Sequence, residues 1–221
     1  NYDNWHLLYT DDCSGDGTGQ LVEDYVKQRG FQDRVTLTRN TQRRGALANQ
    51  YEMIYSCANT DVIVILDGDD WFAHKNVLTR VNEIYQDDNV WLTYGQFREW
   101  PSGAHGFCCP MPEHVVRNNV FRKFQNIPSH LRTFYAGLFK KIEKEDLMLD
   151  GKFFAMTGDI AAMFPMIEMA RVGHFKFVPE VLLTYNGANN LNDHKVSKAL
   201  QRKIDLLLRA KKPYSAIESP F

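Results

Sequence analysis

Residues 62–70 read VIVILDGDD, an unbroken aliphatic run that ends in three aspartates around one glycine. Such a run, without alternating polar residues, is typical of a strand that is buried on both faces of a parallel sheet. Asp67, Asp69 and Asp70 would then lie at the carboxyl end of that strand, where open α/β sheets form their ligand-binding crevice. The stretch therefore predicts an α/β fold with an acidic site at the edge of its sheet.

On both sides of this stretch, short apolar runs alternate with longer segments whose apolar residues recur every three or four positions. We predict strands at 5–9, 35–38, 62–66 and 90–94, and helices at 18–28, 46–58 and 77–85. This alternation is the pattern of parallel strands joined by crossover helices. It predicts a Rossmann-like, mostly parallel sheet flanked by helices.

The second half of the chain is less regular. Proline and glycine are crowded between residues 100 and 112, which predicts a long loop. Beyond it we predict helices at 131–142 and 159–171, a strand at 175–185, and a closing helix striped by Val196, Leu200, Ile204 and Leu207. The length suits one domain, residues 1–221, made of a first half (1–99) and a second half (100–221).

Composition argues against several classes of protein. The chain has 221 residues, 44% of them hydrophobic, and a formal net charge of −1. This near-neutral charge argues against nucleic acid as the main partner. No apolar run approaches the ~20 residues of a membrane-spanning helix, and no targeting segment is visible. The four cysteines lack metal-ligand spacing, so we expect a reducing compartment, the cytoplasm, rather than a disulfide scaffold.

A second predicted strand also ends in acids, at Asp11 and Asp12. Both acidic clusters should therefore face one cleft. Carboxylates that lie close together repel one another unless a cation lies between them. Oxygen ligands on short loops suit Mg²⁺ or Mn²⁺, and such a cation in turn suits a diphosphate group. For Asp16 and Asp70, an equally good interpretation is that their side chains cap helices.

Two other motifs fit part of the acidic sequence. One is the loop of calcium-binding helix-loop-helix proteins, whose spacing is matched by Asp12, Ser14, Asp16, Gly17 and Glu23. That motif needs an incoming helix, whereas the segment before Asp12 looks like a strand. Asp67 and Asp69 could alternatively be the nucleophile and the acid of a phosphatase of the haloacid dehalogenase type, although the Asp70-Trp71 pair that follows is less usual there.

A set of short segments, taken in order along the chain, carries a resemblance to a known family. The segments are residues 11–18 (DDCSGDGT), Asn40 with 43–49 (RRGALAN), 67–70 (DGDD), 157–159 (TGD), and Tyr185-Asn186 followed by Asp193-His194. They resemble the family 2 glycosyltransferases, which have the GT-A fold, and they span nearly the whole chain. The second half, with residues 130–134 (HLRTF) and 164–170 (FPMIEMA), looks like a subgroup found in large DNA viruses and microbes.

The resemblance implies an inverting, metal-dependent glycosyltransferase of the hexosyltransferase type. It would take a sugar from a nucleotide diphosphate sugar, above all a UDP-sugar, and pass it to a hydroxyl of a glycan, a glycoprotein or another acceptor. Residues 1–99 would bind the donor, and residues 100–221 would bind the acceptor and carry the base. The cofactor would be Mn²⁺ or Mg²⁺, because a Lewis acid offsets the charge that grows on the diphosphate as the glycosidic bond breaks.

The resemblance also assigns the donor contacts of the first half. Asp11 or Asp12 would hold the uracil or the ribose of the nucleotide. Arg43 or Arg44 would lie near the base or the diphosphate. These four residues would therefore form the nucleotide-sugar site together with the acidic turn at 67–70.

Metal binding and proton transfer are assigned in the same way. Asp67 and Asp69 would form the metal motif and contact the donor, with Asp69 as the direct ligand, and His194 would complete the metal sphere. Asp159 would be the catalytic base, since the acceptor hydroxyl must lose its proton during attack. Its place at the start of a predicted helix favours a negative side chain.

In one respect the chain departs from the family. Members normally begin with a strand and a helix before the first Asp-Asp turn, whereas here only a few residues precede Trp5. We therefore expect the N-terminal strand of the fold to be missing from this sequence. An alternative function is then a catalytically impaired nucleotide- or carbohydrate-binding module derived from such an enzyme.

Overall fold

The computed structural model describes residues 2–189, 195 and 197–221. In the first half, strands and helices alternate as the periodicity predicts. The elements are β1 (Leu7–Asp11), α1 (Thr18–Arg29), β2 (Val35–Arg39), α2 (Ala46–Ser56), β3 (Val62–Ile65), β4 (Trp71–Phe72), α3 (Val77–Ile84) and β5 (Leu92–Trp100). The predicted helices and strands of this half are confirmed, although β5 is longer than expected and β4 was not predicted.

The second half contains shorter elements around one long helix and one long strand. They are α4 (Glu113–Arg117), β6 (Arg132–Tyr135), α5 (Ala136–Lys140), β7 (Met148–Leu149), β8 (Lys152–Phe153), α6 (Gly158–Met169), β9 (Phe175–Asn186) and α7 (Lys198–Ala210). The predictions of a helix at 159–171 and of a strand at 175–185 are confirmed. Single 3₁₀ turns lie at Phe121–Lys123 and Lys144–Leu147.

The main sheet has five strands in the order β3-β6-β5-β9-β4. Within it β5 and β9 run parallel, and the other neighbours run antiparallel. β1 and β2 pair in parallel as a second sheet, and β7 and β8 form a small antiparallel pair. The predicted α/β class is therefore confirmed, with a curled, mixed sheet that is flanked by helices.

The surroundings of β3 differ from the prediction. Its four residues are half-buried, not covered on both faces, and the strand pairs antiparallel with β6. In this register Ile65 lies opposite Arg132. Strand pairing joins residues that are far apart in the chain, so the local aliphatic pattern identified the strand but not its neighbour.

The helix predicted at 131–142 is wrong. Residues 132–135 form β6, and only Ala136–Lys140 are helical. Leu131, Phe134 and Phe139 are all buried, so their apolar spacing reflects burial of two successive elements and not one helical face. A short apolar run is compatible with either structure, and here the antiparallel pairing with β3 and β5 decides between them.

The core is centred on α6, where every residue from Ile160 to Met169 is buried. This helix contacts α2, α5 and α7. On α7 the buried residues are Ile204 and Leu208, whereas Leu200 and Leu207 are each 40% exposed. Of the predicted stripe, Ile204 is buried as expected and Leu200 and Leu207 are not, while Val196 lies outside the described residues.

Two further features concern the cysteines and the hydropathy of the helices. All four cysteines are free thiols. Among the described residues, no helix is both long enough and apolar enough to cross a bilayer.

Candidate functional site

A cleft of about 320 Å³ opens at the end of β3. Six of the residues that line it have ionisable side chains: Asp67, Asp69, His130, Arg132, Asp159 and Tyr185. The volume is within the ~300–1,000 Å³ range of small-molecule sites. Three acids that the sequence predicted as functional therefore share one cavity.

The acidic turn after β3 is held by the end of β9. The N–H of Asp70 donates to the carbonyl of Asp67 at 3.0 Å and closes the turn. The backbone N–H of Asn186 donates to Oδ1 of Asp70 at 2.8 Å, and Nδ2 of Asn189 donates to Oδ2 of Asp69 at 2.6 Å. These bonds fix where each carboxylate points.

Arg132 enters the cleft from β6, because the antiparallel register places it opposite the last residue of β3. Its side chain is only 7% exposed. Nη2 donates to Oδ2 of Asp67 at 3.1 Å, and Nη1 lies 3.9 Å from Oδ2 of Asp159. The guanidinium thus stands between the acidic turn and the predicted base, with its Nε lacking a hydrogen-bond partner in the described part of the chain.

Burial shifts the titration of two further groups beside the turn. It raises the pKa of Asp70 to about 7, although the hydrogen bond from Asn186 opposes the shift. Burial, assisted by the nearby charge of Arg132, lowers the pKa of His130 well below its ordinary value. At neutral pH the imidazole is therefore uncharged and can act as a ligand.

Three of these side chains are grouped closely enough to hold a metal ion. One potential ligand atom from each of Asp67, Asp70 and His130 lies within 4.8 Å of the others. Oδ2 of Asp70 and Nδ1 of His130 are buried and have no hydrogen-bond partner among the described residues. Buried polar atoms are normally paired, so these two fit a site that a cation completes.

Asp159 is held at the mouth of the cleft by the start of α6. The preceding Gly158 lets that helix approach α2 closely, since a Cβ there would lie 3.1 Å from Cβ of Leu47. The Asp159 side chain is 29% exposed, which leaves it open to a substrate hydroxyl.

Asp11 and Asp12 lie at the end of β1 as predicted, but their carboxylates bind their own chain. Oδ1 of Asp11 accepts from the N–H of Ser14 at 3.0 Å. Asp12 accepts from Nδ2 of Asn40 and from the N–H groups of Arg44 and Gly45, at 2.8–2.9 Å. Asp12 therefore anchors the start of α2, whose first residues line the cleft.

The two predicted arginines are exposed. The guanidinium of Arg44 forms an ion pair with Glu52 of α2, and Arg43 lies beside it in the loop before that helix. Neither lines the cleft at the acidic turn. The remaining predicted ligand, His194, lies outside the described residues.

The prediction missed His130 and Arg132. Both belong to a segment that was assigned to a helix and to the loop before it, so no site was expected there. One signal was available: Arg132 is a single charge inside the run LRTFYAGLF, and charges are almost never fully buried unless they are paired.

Loss of the Asp12 carboxylate gives a stability prediction with a defined pH window. Burial raises its pKa, but the hydrogen bonds outweigh burial and lower the pKa to about 2. Because the folded value lies below the unfolded one of 3.8, the bonds stabilise the fold above pH 4, and this contribution is lost as the pH falls towards 2. We expect Asp12→Ala to cost roughly 1–3 kcal/mol at pH 7.

Urea unfolding of the native protein and of Asp12→Ala between pH 2 and 7 measures the difference between their free energies of unfolding. It should narrow steadily below pH 4. The exposed loop residue Asp33 supplies the control, since Asp33→Ala should unfold like the native protein at every pH. A difference between Asp12→Ala and the native protein that did not change with pH would show that the charge of Asp12 is irrelevant.

Comparison with known proteins adds the family and the fold. The family described as Glycosyl transferase family 2 matches residues 1–142, more than half of the chain. No curated protein matches the chain.

Two solved structures are similar in fold. Staphylococcus aureus TarS (residues 1–349), solved in complex with UDP-GlcNAc, gives a TM-score of 0.57 at 14% identity, over 87% of this chain and 52% of that one. The mannosyltransferase PcManGT from Pyrobaculum calidifontis, solved with GDP-Man and Mn²⁺, gives a TM-score of 0.59 at 17% identity, over 95% of this chain and 56% of that one. The match thus covers about half of each of these two chains, and the likeness establishes the α/β fold that the sequence predicts.

Proposed function

The chain belongs to glycosyl transferase family 2, and from this membership we propose that it transfers a sugar from a nucleotide diphosphate sugar to an acceptor hydroxyl. The observation that carries the proposal is the cleft in which Asp67, Asp69 and Asp159 converge. Acids that bind a cation and an acid that accepts a proton are the two groups that such a transfer requires.

The donor is proposed to lie across the start of α2 and the acidic turn. Asp12 holds the loop before α2 in place, and Ala46 and Leu47 from the first turn of that helix line the cleft. Both neighbours were solved with a nucleotide diphosphate sugar, one a UDP-sugar and the other a GDP-sugar. We propose a UDP-linked hexose for this chain, with GDP-linked hexoses as the comparison set.

A divalent cation is proposed as the cofactor, and the carboxylates of residues 67–70 would hold it. When bound, the cation offsets the negative charge that develops on the leaving diphosphate. Asp67 and Asp69 line the cleft and are the predicted ligands. Oδ2 of Asp70, which has no hydrogen-bond partner among the described residues, fits the same role.

Asp159 is proposed to be the catalytic base. The acceptor oxygen attacks the anomeric carbon, the bond from that carbon to the diphosphate oxygen breaks, and the hydroxyl proton passes to the Asp159 carboxylate. A single displacement of this kind inverts the configuration at the anomeric carbon. Nη1 of Arg132 lies 3.9 Å from Oδ2 of that carboxylate.

Calorimetry with nucleotide diphosphates in the presence of Mn²⁺, followed by assays of sugar release and transfer from UDP- and GDP-hexoses, tests the proposal. We expect a UDP-sugar to bind and to be turned over. Failure of every nucleotide diphosphate to bind would refute the proposal. Binding without any turnover would instead support the alternative, a nucleotide-binding module without catalytic activity.

Asp69→Ala tests the acidic turn. We expect the Mn²⁺-dependent affinity for the nucleotide to fall at least about tenfold, or 1.4 kcal/mol, because a carboxylate that faces the diphosphate site is lost. Asp33→Ala removes an equal charge from an exposed loop and should bind normally. Unchanged binding and turnover in Asp69→Ala would remove Asp69 from the site.

A further inference from the structure

His130 lies opposite the acidic turn because of the register between β3 and β6. The last pair of that register joins Ile65 to Arg132. If this pairing register is continued for two residues beyond the ends of both strands, His130 falls opposite Asp67. A ring nitrogen of His130 accordingly lies within 4.8 Å of a carboxylate oxygen of both Asp67 and Asp70.

The surroundings of His130 bury its ring and hold it in place. The residue is only 9% exposed, and its Nδ1 has no hydrogen-bond partner among the described residues. Its ring packs at 5.6 Å from the rings of Phe97 and Tyr185, which fixes its orientation. An imidazole held rigidly at the wall of a cleft, with an unpaired nitrogen, is preorganised for binding.

The carboxylates around the imidazole also favour binding of a cation. Arg132 donates to Asp67, while Oδ2 of Asp70 remains buried without a hydrogen-bonding partner in the described part of the chain. Asp69 lies in the same turn and is bonded to Asn189. A divalent ion bound by Asp67, Asp70 and His130 would give Asp70 and His130, each with a buried atom that lacks a partner among the described residues, a shared positive partner.

We propose that His130 is a direct ligand of this ion, together with Asp67 and Asp70, and that its nitrogen makes the site prefer Mn²⁺ to Mg²⁺. Imidazole suits transition metals, whereas Mg²⁺ takes oxygen ligands almost alone. The inference rests on the proposed function, since the ion would serve the diphosphate of the donor. It assigns the nitrogen ligand to the segment just before β6, whereas the resemblance implied His194.

Pulsed electron paramagnetic resonance of bound Mn²⁺ tests the proposal without any assay of turnover. An imidazole nitrogen bound to the ion modulates the echo, and labelling the histidines with ¹⁵N changes the modulation. We expect the native protein to show this signal. His130→Gln should lose it, and its Mn²⁺ affinity should fall about 10–100-fold, while its Mg²⁺ affinity should change less than about threefold.

Two matched variants separate the candidates. His194→Gln should keep the nitrogen signal, because the proposal places the ligand at residue 130. His105→Gln, at an exposed position, should behave like the native protein in every measurement. Thermal unfolding without metal checks that His130→Gln is folded. If His130→Gln does not fold, the ¹⁵N-labelled His194→Gln protein still tests whether His194 is the ligand, because it keeps the nitrogen signal only if another histidine binds the ion.

The outcomes are distinct. Loss of the nitrogen signal in His194→Gln, its persistence in His130→Gln, or its absence from the native protein with Mn²⁺ bound would each overturn the assignment. An unchanged ratio of Mn²⁺ to Mg²⁺ affinity in a folded His130→Gln would overturn the selectivity. Failure of nucleotides to bind, with the nitrogen signal present, would refute the proposed function and leave the metal ligand standing.

Discussion

Asp159→Asn is expected to slow sugar transfer by roughly 10²–10⁴-fold at saturating donor and acceptor. The amide has the size of the carboxylate but cannot take the hydroxyl proton. Because α6 places this side chain at the mouth of the cleft and not inside the acidic turn, the dissociation constant of the donor should stay within about twofold. Single-turnover transfer and calorimetry measure the two quantities separately.

The ion pair with Arg132 allows a second possibility, which the same variants resolve. Nη1 of Arg132 lies 3.9 Å from Oδ2 of Asp159, so the carboxylate could act by holding Arg132 in place. In that case Arg132→Lys, which keeps the charge, should lose as much activity as Asp159→Asn. If Asp159 is the base, Arg132→Lys should retain most of the transfer rate. Asp33→Asn serves as the control for loss of one charge.

A transfer rate of Asp159→Asn within about threefold of the native rate would remove Asp159 from the role of base. Equal losses of donor affinity and transfer would give it a binding role instead. Retained donor affinity with slow transfer, and a pH–rate profile that loses its acidic limb, would agree with proton transfer at this residue.

The stretch at 62–70 shows what the sequence could and could not predict about the fold. Its composition identified a strand followed by an acidic turn, and both are present. The neighbour of that strand was not predictable, because β6 comes from residues 132–135 and runs antiparallel. Local patterns report which residues are buried, whereas pairing depends on contacts between distant parts of the chain.

The same distinction explains the site. Asp67, Asp69 and Asp159 could be predicted because they follow strands or open a helix, and the structure brings them to one cleft. His130 and Arg132 reach that cleft only through the pairing of β6 with β3. A residue whose place in the cleft depends on strand register cannot be found from motifs, so the sequence singled out His194 and not His130.

Arg122→Met is expected to destabilise the fold by about 3–5 kcal/mol, the usual cost of breaking a buried ion pair from one side. Nε and Nη2 of Arg122 donate to the two carboxylate oxygens of Glu168 at 2.6 and 2.8 Å. The two side chains are 4% and 0% exposed. Nη1 also donates to the carbonyl of Leu208, so the pair joins α6 to α7.

Urea unfolding of matched variants checks this value. Arg80 and Glu180 form an ion pair at 2.7 Å, but both are substantially exposed, so Arg80→Met should cost no more than about 1 kcal/mol. The double variant Arg122→Met with Glu168→Leu should recover most of the lost stability, since it leaves no unpaired buried charge. Equal losses for Arg122→Met and Arg80→Met would show that burial of the pair is unimportant.

The pH dependence of Arg122→Met follows from the carboxylate left behind. Burial raises the pKa of Glu168, and Arg122 opposes that shift, so removal of the arginine raises the pKa further. A folded pKa above the unfolded value of 4.5 means that stability is lost as the pH rises through the folded pKa. The destabilisation by Arg122→Met should therefore be larger at pH 8 than at pH 5.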